Sequence, residues 1–384
     1  MRLIFTSLVS HGHLYPLLPL AVAARDAGHD VLFATGDDML PVVEKAGLAT
    51  ESAGFGMREA FASFFGPDAQ PRAKDAPPES FYPVIGQVFG NVLPRRFVAD
   101  LTPVLERHRP DLVVYESGNA GGAIAARLAG IPAIGHGFGR FSPDEVMDVI
   151  HGRLAEFAAE VGFEGVTLPS FGDPVVDICP ESVQAPDFLA KANRIPLRPV
   201  GWAEPGDLPA GVAGRDTSRP LIYLTLGTAF GDEDVLKRAI GGLARIDADV
   251  IVAAGPTVQP EQLGEVPGNV RVEAWVPQID LLSHVDLVVH HGGSGTTLGA
   301  FGAGLPQLVL PQGADQFTNA EAVVAAGVGA RLLGGDAVED VIFEQARKLL
   351  TDETVLGAAR KLADEVAAMP SPAEVAQRLP EFAG

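Results

Sequence analysis

The sequence predicts an α/β protein built as two Rossmann-like halves in tandem. Three observations carry this prediction. The chain opens on a strand, a helix and a second strand; the same grammar restarts at Pro220; and its loops of small residues fall directly after predicted strands. A length of 384 residues exceeds one ordinary core and suits two domains.

Residues 2–9, RLIFTSLV, read as a buried strand. After a turn at 10–16, LLPLAVAARDAG reads as a helix that Gly28 stops as a C-cap. His29-Asp30 lead into VLFATG, a second strand, and this order implies parallel pairing with a right-handed crossover. Leu112-Val113-Val114-Tyr115 and Ile131-Pro132-Ala133-Ile134 are further strands, separated by the helical AGGAIAARLAG. From Pro220 come LIYLTLGT, a helix around 233–245, DVIVAAG, NVRVEAWV, DLVVHHGG, a helix, and QLVLPQG. The expected division is 1–200, a linker at 201–219 rich in Pro, Gly and charge, 220–366, and a tail at 367–384 that could pack back on the first half.

Composition bounds the function. Hydrophobic residues at 47% and charged residues at 20% are those of a packed globular protein. The opening Met1-Arg2-Leu3-Ile4-Phe5 enters a strand directly, and Gly, Pro, Asp or His interrupts each apolar stretch short of a membrane span, so a cytoplasmic protein without membrane partners is expected. Cys179 is the single cysteine, which excludes internal disulfides and a Cys-based zinc site. A formal charge of −21 argues against nucleic acid as a partner. It is also awkward for any anionic small ligand, whose site must then supply its own positive potential.

In open parallel sheets ligands sit at the carboxyl ends of the strands, so the loops that follow strands are the informative ones. Three stand out: Ser10-His11-Gly12-His13-Leu14-Tyr15-Pro16, Glu116-Ser117-Gly118-Asn119, and His290-His291-Gly292-Gly293-Ser294-Gly295-Thr296-Thr297. The third leads into a helix, whose free N–H groups and partial positive charge attract phosphate. Its glycines admit a close ligand, Ser294, Thr296 and Thr297 offer hydroxyls, and His291 adds a donor or a charge. The loop has neither Walker A nor GxGxxG spacing. Taken alone it also fits a turn that merely caps a helix.

Two neighbouring strings narrow the reading. Trp275-Val276-Pro277-Gln278 precedes the loop, and Pro311-Gln312-Gly313-Ala314-Asp315-Gln316-Phe317-Thr318-Asn319 follows it by one strand. The ordered set W-x-P-Q, H-x-G-x-G-T and D-Q-x-x-N resembles the donor signature of family 1 glycosyltransferases. Near the N-terminus, the pattern HGHxxPLxPLAxAxxxxGHxVxFAT is similar to glycosyltransferases of macrolide and enediyne natural products, including the calicheamicin enzymes. The likeness covers nearly the whole chain.

The resemblance implies the GT-B fold, two Rossmann-like domains facing across a cleft, with an acceptor-binding N-terminal domain and a nucleotide-sugar-binding C-terminal domain. It places Trp275 and Val276, with Gln278 of the same motif, at the nucleobase. His291, Gly293, Gly295 and Thr296 surround the diphosphate, joined by Ser294, while Gly227-Thr228 form its phosphate-side turn. Asp315 and Gln316 meet the sugar hydroxyls. His13, three residues before Pro16, takes the position of the catalytic base, and Glu116 stands where the family usually has Asp, accepting a hydrogen bond from that base. His11 is expected to be mainly structural, with a second role in lining the acceptor side.

The implied activity is hexosyl or deoxyhexosyl transfer, with inversion, from a nucleoside diphosphate to a hydroxyl of a hydrophobic natural-product aglycone. Thymidine diphosphate is favoured over uridine diphosphate. For the acceptor, Phe61, Phe65, Phe81 and Phe89 in the aromatic segment 52–100 either line an apolar pocket or form a small helical subcore. No cofactor or metal is expected: the His-x-His pair has no third ligand at a suitable spacing, Asp247-Ala248-Asp249 precedes a strand, and Asp232-Glu233-Asp234 starts a helix. The sequence leaves homodimer formation open. The same fold also hosts sugar-nucleotide epimerases and non-catalytic sugar-nucleotide-binding proteins, which are the alternative readings.

Overall fold

The computed structural model describes residues 1–65, 78–141, 145–163, 171–203, 206–227, 232–255 and 258–384. The chain forms two compact units, one of residues 1–178, 185–197 and 370–384, the other of 179–184 and 198–369. Each is a parallel sheet with helices, as the GT-B architecture requires.

The first unit holds seven strands: β1 (Arg2–Thr6), β2 (Asp30–Thr35), β3 (Ala49–Ser52), β4 (Leu112–Glu116), β5 (Ala133–His136), β6 (Val175–Asp177) and β7 (Arg194–Pro196). Their order is β3-β2-β1-β4-β5-β6-β7, all parallel. The second unit holds β8 (Leu221–Thr225), β9 (Asp249–Ala253), β10 (Val270–Glu273), β11 (Leu287–His290), β12 (Gln307–Val309) and β13 (Gly329–Arg331), in the order β10-β9-β8-β11-β12-β13. In each sheet the first strand lies between its second and fourth. The strand order therefore reverses between β1 and β4, and again between β8 and β11, where ligands are received in such sheets.

Central strands are apolar on both faces because helices cover both. Every residue of β4 and of β8 is buried. In the second unit, Leu224, Val252, Val289 and Leu308 join Leu236 and Ile342 of the covering helices in one core.

Three expectations need correction. The predicted turn at 10–16 is helical, with residues His11–Leu14 and Tyr15–Leu17 winding into the helix Leu18–Asp26. Pro16 and Pro19 sit at the starts of these segments, where a missing N–H costs nothing. The strand expected at 131–134 runs instead over Ala133–His136, beyond Pro132, and so ends on a histidine. The stretch 201–219, expected as a linker, is part of the second unit. Val212 is buried in a core with Tyr223 and Leu281, and Arg215 donates to Asp286 at 2.8 Å and to the Arg219 carbonyl at 2.6 Å. Side-chain hydrogen bonds rather than a regular ladder hold this stretch, which is why it shows no periodicity.

Residues 370–384 complete the first unit. Ser371 caps the helix Pro372–Arg378 in a reciprocal capping box with Glu374, and Val375, Ala376 and Leu379 are fully buried. His29 Nε2 lies 3.4 Å from the Ala376 carbonyl. Among the described residues no helix is long and apolar enough to cross a membrane.

Candidate active site

In the first unit the polar residues gather at the ends of β1, β4 and β5. β4 ends on Glu116, whose side chain is wholly buried. One of its oxygens, Oε1, accepts from the Gly118 amide, and the other, Oε2, lies 3.1 Å from Nδ1 of His13. A carboxylate can only accept, so a neutral His13 that donated across this contact would carry its proton on Nδ1 and its lone pair on Nε2. The His13 side chain keeps 19% of its exposure, and its ring centroid lies 4.6 Å from that of Phe138. Gly118 makes room for the pair: a Cβ there would meet Glu116 Oε1 at 2.9 Å and His13 Cε1 at 3.3 Å.

His11 is exposed and meets Tyr15 edge to face at 5.1 Å. Phe61 stacks on Phe81 at 5.8 Å and meets Phe89 edge-on at 6.4 Å. Phe61 and Phe89 are partly buried against a core that includes Ala60, Val88 and Phe97, so this cluster has both a packed side and an accessible one. The Phe65 side chain lies outside the described residues, as does Thr228.

In the second unit the loops after β8 and β11 meet. The His291 ring is wedged between two glycines: a Cβ on Gly227 would sit 2.5 Å from its Nε2, and one on Gly293 2.4 Å. Burial holds the His291 pKa down at about 4, opposed in part by the Thr225 main chain, so the ring is neutral near pH 7. Helix Ser294–Gly302 begins directly after Gly293, with no side-chain cap on its first amides. Gly295 is exposed, and among the described residues nothing outside its own helix backbone comes within 4 Å of a Cβ built there.

Asp315 and Gln316 are held by different partners. Asp315 Oδ2 accepts from Ser294 Oγ at 2.8 Å and from Asn319 Nδ2 at 3.0 Å. The Gln316 side-chain oxygen Oε1 accepts from the Gln312 and Gly313 amides at 2.7 and 3.1 Å, so it shapes the loop and leaves the side-chain NH₂ as the remaining polar group. Just before Asp315, Ala314 has φ 53, a left-handed backbone uncommon without glycine. Gln278 Oε1 accepts from Thr296 at 3.1 Å and from Tyr223 at 3.3 Å. Trp275 is 53% exposed, whereas Val276 is buried, its side chain packed in the core with Tyr223 and Leu281.

Residues 22–227 match the N-terminal domain, and residues 237–382 the C-terminal domain, of the family described as erythromycin biosynthesis protein CIII-like. The chain belongs to this family. Elloramycin glycosyltransferase ElmGT of Streptomyces olivaceus is 34% identical, and L-demethylnoviosyl transferase of Streptomyces niveus 33% identical, each alignment covering 99% of this chain and 97% of the relative. The solved structure of glycosyltransferase SsfS6 of Streptomyces sp. SF2575, complexed with thymidine diphosphate, has a TM-score of 0.79 at 28% identity and covers 99% of both chains. This chain is therefore a glycosyltransferase of antibiotic-biosynthesis type.

The glycosyltransferase also carries polar groups to which sequence reasoning assigned no separate role, although His290 opens the third loop and Asn319 closes the D-Q-x-x-N string. His136 is the register partner of Glu116 and stands on the same face of the sheet. It is fully buried, its Nδ1 donates to the Gly137 carbonyl at 2.7 Å, and burial holds its pKa down at about 4. Asn319 donates to Gly292, Ser294 and Asp315 at 2.9 to 3.1 Å. His290 and Gln307 are buried behind the His291 turn. A polar residue closing an otherwise apolar strand run is the signal that marks His136 and His290. Gln307 opens its strand and gives none.

Proposed function

We propose that this glycosyltransferase moves a deoxysugar from thymidine diphosphate, with uridine diphosphate as the second choice, onto a hydroxyl of a hydrophobic aglycone, inverting the anomeric carbon without a metal. The observation that carries the reading is the His13–Glu116 pair: a neutral imidazole with a buried carboxylate on Nδ1 and its lone pair on Nε2 is equipped to take a proton from an acceptor hydroxyl. Glu116 then stabilises the imidazolium, as an orienting carboxylate does beside other histidine bases.

The departing diphosphate needs stabilisation that the chain's global charge of −21 opposes. Uncapped amides at Ser294–Thr296 and the His291 ring supply it locally, while the Ser294 and Thr296 hydroxyls donate their single protons to Asp315 and Gln278. Both donors recorded on Asp315 reach Oδ2, so Oδ1, with the Gln316 NH₂, is assigned to the sugar hydroxyls. Trp275 offers an exposed indole face to the nucleobase. Complementary support for the thymidine base comes from the SsfS6 complex. For the acceptor, the accessible side of the Phe61–Phe81–Phe89 cluster and the His11–Tyr15 edge are the apolar surfaces assigned. Metal independence rests on the donor set: among the described residues no three His, Cys, Asp or Glu side chains converge.

The test is binding of thymidine, uridine and guanosine diphosphates in EDTA by wild type, His13→Ala and His291→Ala. Thymidine diphosphate should stabilise wild type and His13→Ala by a few degrees and His291→Ala less. With a thymidine diphosphate sugar and an aglycone, the product should carry the opposite anomeric configuration. A non-catalytic binder would bind nucleotide and turn over nothing; an epimerase would alter the sugar without any acceptor. Loss of nucleotide binding in EDTA would overturn metal independence.

A further inference from the structure

We propose that His290 and Gln307 are positioning residues of the diphosphate turn, holding it through a one-way chain of hydrogen bonds from the Gly292 amide to the helix behind it. The assignment rests on the donor-site reading above.

The chain has three links. The Gly292 N–H donates to His290 Nδ1 at 3.1 Å, His290 Nε2 meets Gln307 Oε1 at 2.8 Å, and Gln307 Nε2 reaches the Thr297 carbonyl at 3.5 Å. Its direction follows from the two ends. A main-chain amide can only donate, so Nδ1 carries a lone pair; a neutral ring then bears its proton on Nε2, which must donate to Gln307. That fixes the Gln307 carbonyl toward the ring and its NH₂ toward Thr297, a carbonyl that can only accept. Both side chains have no exposed surface, so no water competes for either.

The turn has little slack elsewhere. Asn319 Nδ2 donates to the Gly292 carbonyl at 2.9 Å, so side chains grip the Gly292 residue at its N–H and its C=O. Gly292 adopts φ 94, and a Cβ there would sit 2.8 Å from the Gln316 carbonyl. The residues on either side of this gripped glycine carry the donor contacts, His291 and, from Gly293 onward, the helix amides. A charged His290 would present a second N–H to the Gly292 N–H and break the first link. Burial, with His291 beside it, holds the His290 pKa down at about 3, so the link survives near neutrality.

An asparagine in place of His290 retains a γ-linked acceptor for the N–H two residues on, the Asx-turn contact, whereas leucine cannot accept. The experiment is calorimetry in EDTA with thymidine diphosphate and, as the phosphate-free probe, thymidine, on wild type, His290→Asn, His290→Leu and Gln307→Leu. Long-range ¹H–¹⁵N spectra of the wild type accompany it. His290→Leu and Gln307→Leu should weaken thymidine diphosphate about tenfold and leave thymidine unchanged, and His290→Asn should recover most of the loss. The wild-type spectrum should show the Nε2–H tautomer of His290 without titration between about pH 8 and about pH 5.

Equal affinities for wild type and His290→Leu, parallel losses for both probes, or an Nδ1–H tautomer would each overturn the proposal while the donor site stands. If His290→Leu does not fold, Gln307→Leu and the wild-type spectrum decide. A wild type that binds no thymidine or uridine diphosphate overturns the donor reading and this proposal together.

Discussion

Nδ1 of His13 and Oε2 of Glu116 lie 3.1 Å apart, and the carboxylate is entirely removed from solvent. Its chain is longer by one methylene than an aspartate, and its other oxygen is tethered to the Gly118 amide. Removing the base should therefore affect chemistry and not nucleotide binding. His13→Ala is expected to lower the transfer rate about 100- to 10,000-fold with an unchanged dissociation constant for thymidine diphosphate. Glu116→Gln should fall between that variant and wild type, since its amide can either accept from Nδ1–H or donate to the wrong tautomer. A parallel loss of nucleotide affinity in both would remove His13 from the chemical step.

The glycines around His291 are a steric prediction. Gly293→Ala places a methyl group 2.4 Å from Nε2. The ring must move, at a cost of about 1–3 kcal/mol, and thymidine diphosphate affinity should drop by tenfold or more while the overall fold persists. Titration calorimetry beside circular dichroism separates the two effects. Unchanged affinity would show that the ring position does not matter to the donor.

Acid stability follows from buried histidines. His136, His290 and His291 have pKa values held at about 4, 3 and 4. On unfolding, each returns to about 6.5 and binds a proton that the native state refuses. The unfolded chain thus carries more protons below that value, so stability falls as pH drops from about 6.5 to about 4, by up to about 1.4 kcal/mol per pH unit for each ring. Above about 7 these groups contribute no slope. Urea unfolding against pH should show a shallower acid limb for His136→Asn than for wild type; identical limbs would contradict the assignment.

The tail supplies a packing prediction. Leu379 is fully buried, and Leu379→Ala should cost about 2–5 kcal/mol, measured by urea unfolding. A cost under about 0.5 kcal/mol would mean that the tail is not part of the core.

Much of this was legible in the sequence because central parallel strands are apolar throughout, and β1, β2, β4, β8, β9 and β11 announce themselves. The strands left unnamed, β3, β6, β7 and β13, have three or four residues each, and β3, β7 and β13 lie at sheet edges. Ala49–Ser52 and Gly329–Arg331 have no fully buried residue, so no hydrophobic pattern marks them. At the site, the residues proposed to face ligand sit on recognisable loops. Those that hold the loops in shape, His136, Asn319 and Gln307, act through three-dimensional neighbours, and spacing along the chain does not reveal such partners. Val276 shows the opposite difficulty: its position in a motif is legible, but not that its side chain turns inward.

The chain passes from one unit to the other after Ile178, Gln184, Leu197 and Met369. During synthesis the first unit therefore waits for the final residues before its last helix can dock, although its sheet is translated long before. A chimera that joined two relatives once, near residue 200, would combine one parent's first sheet with the other parent's closing helix. Exchange of the donor half calls for two junctions, the second beside Met369, so that residues 370–384 travel with the unit they complete.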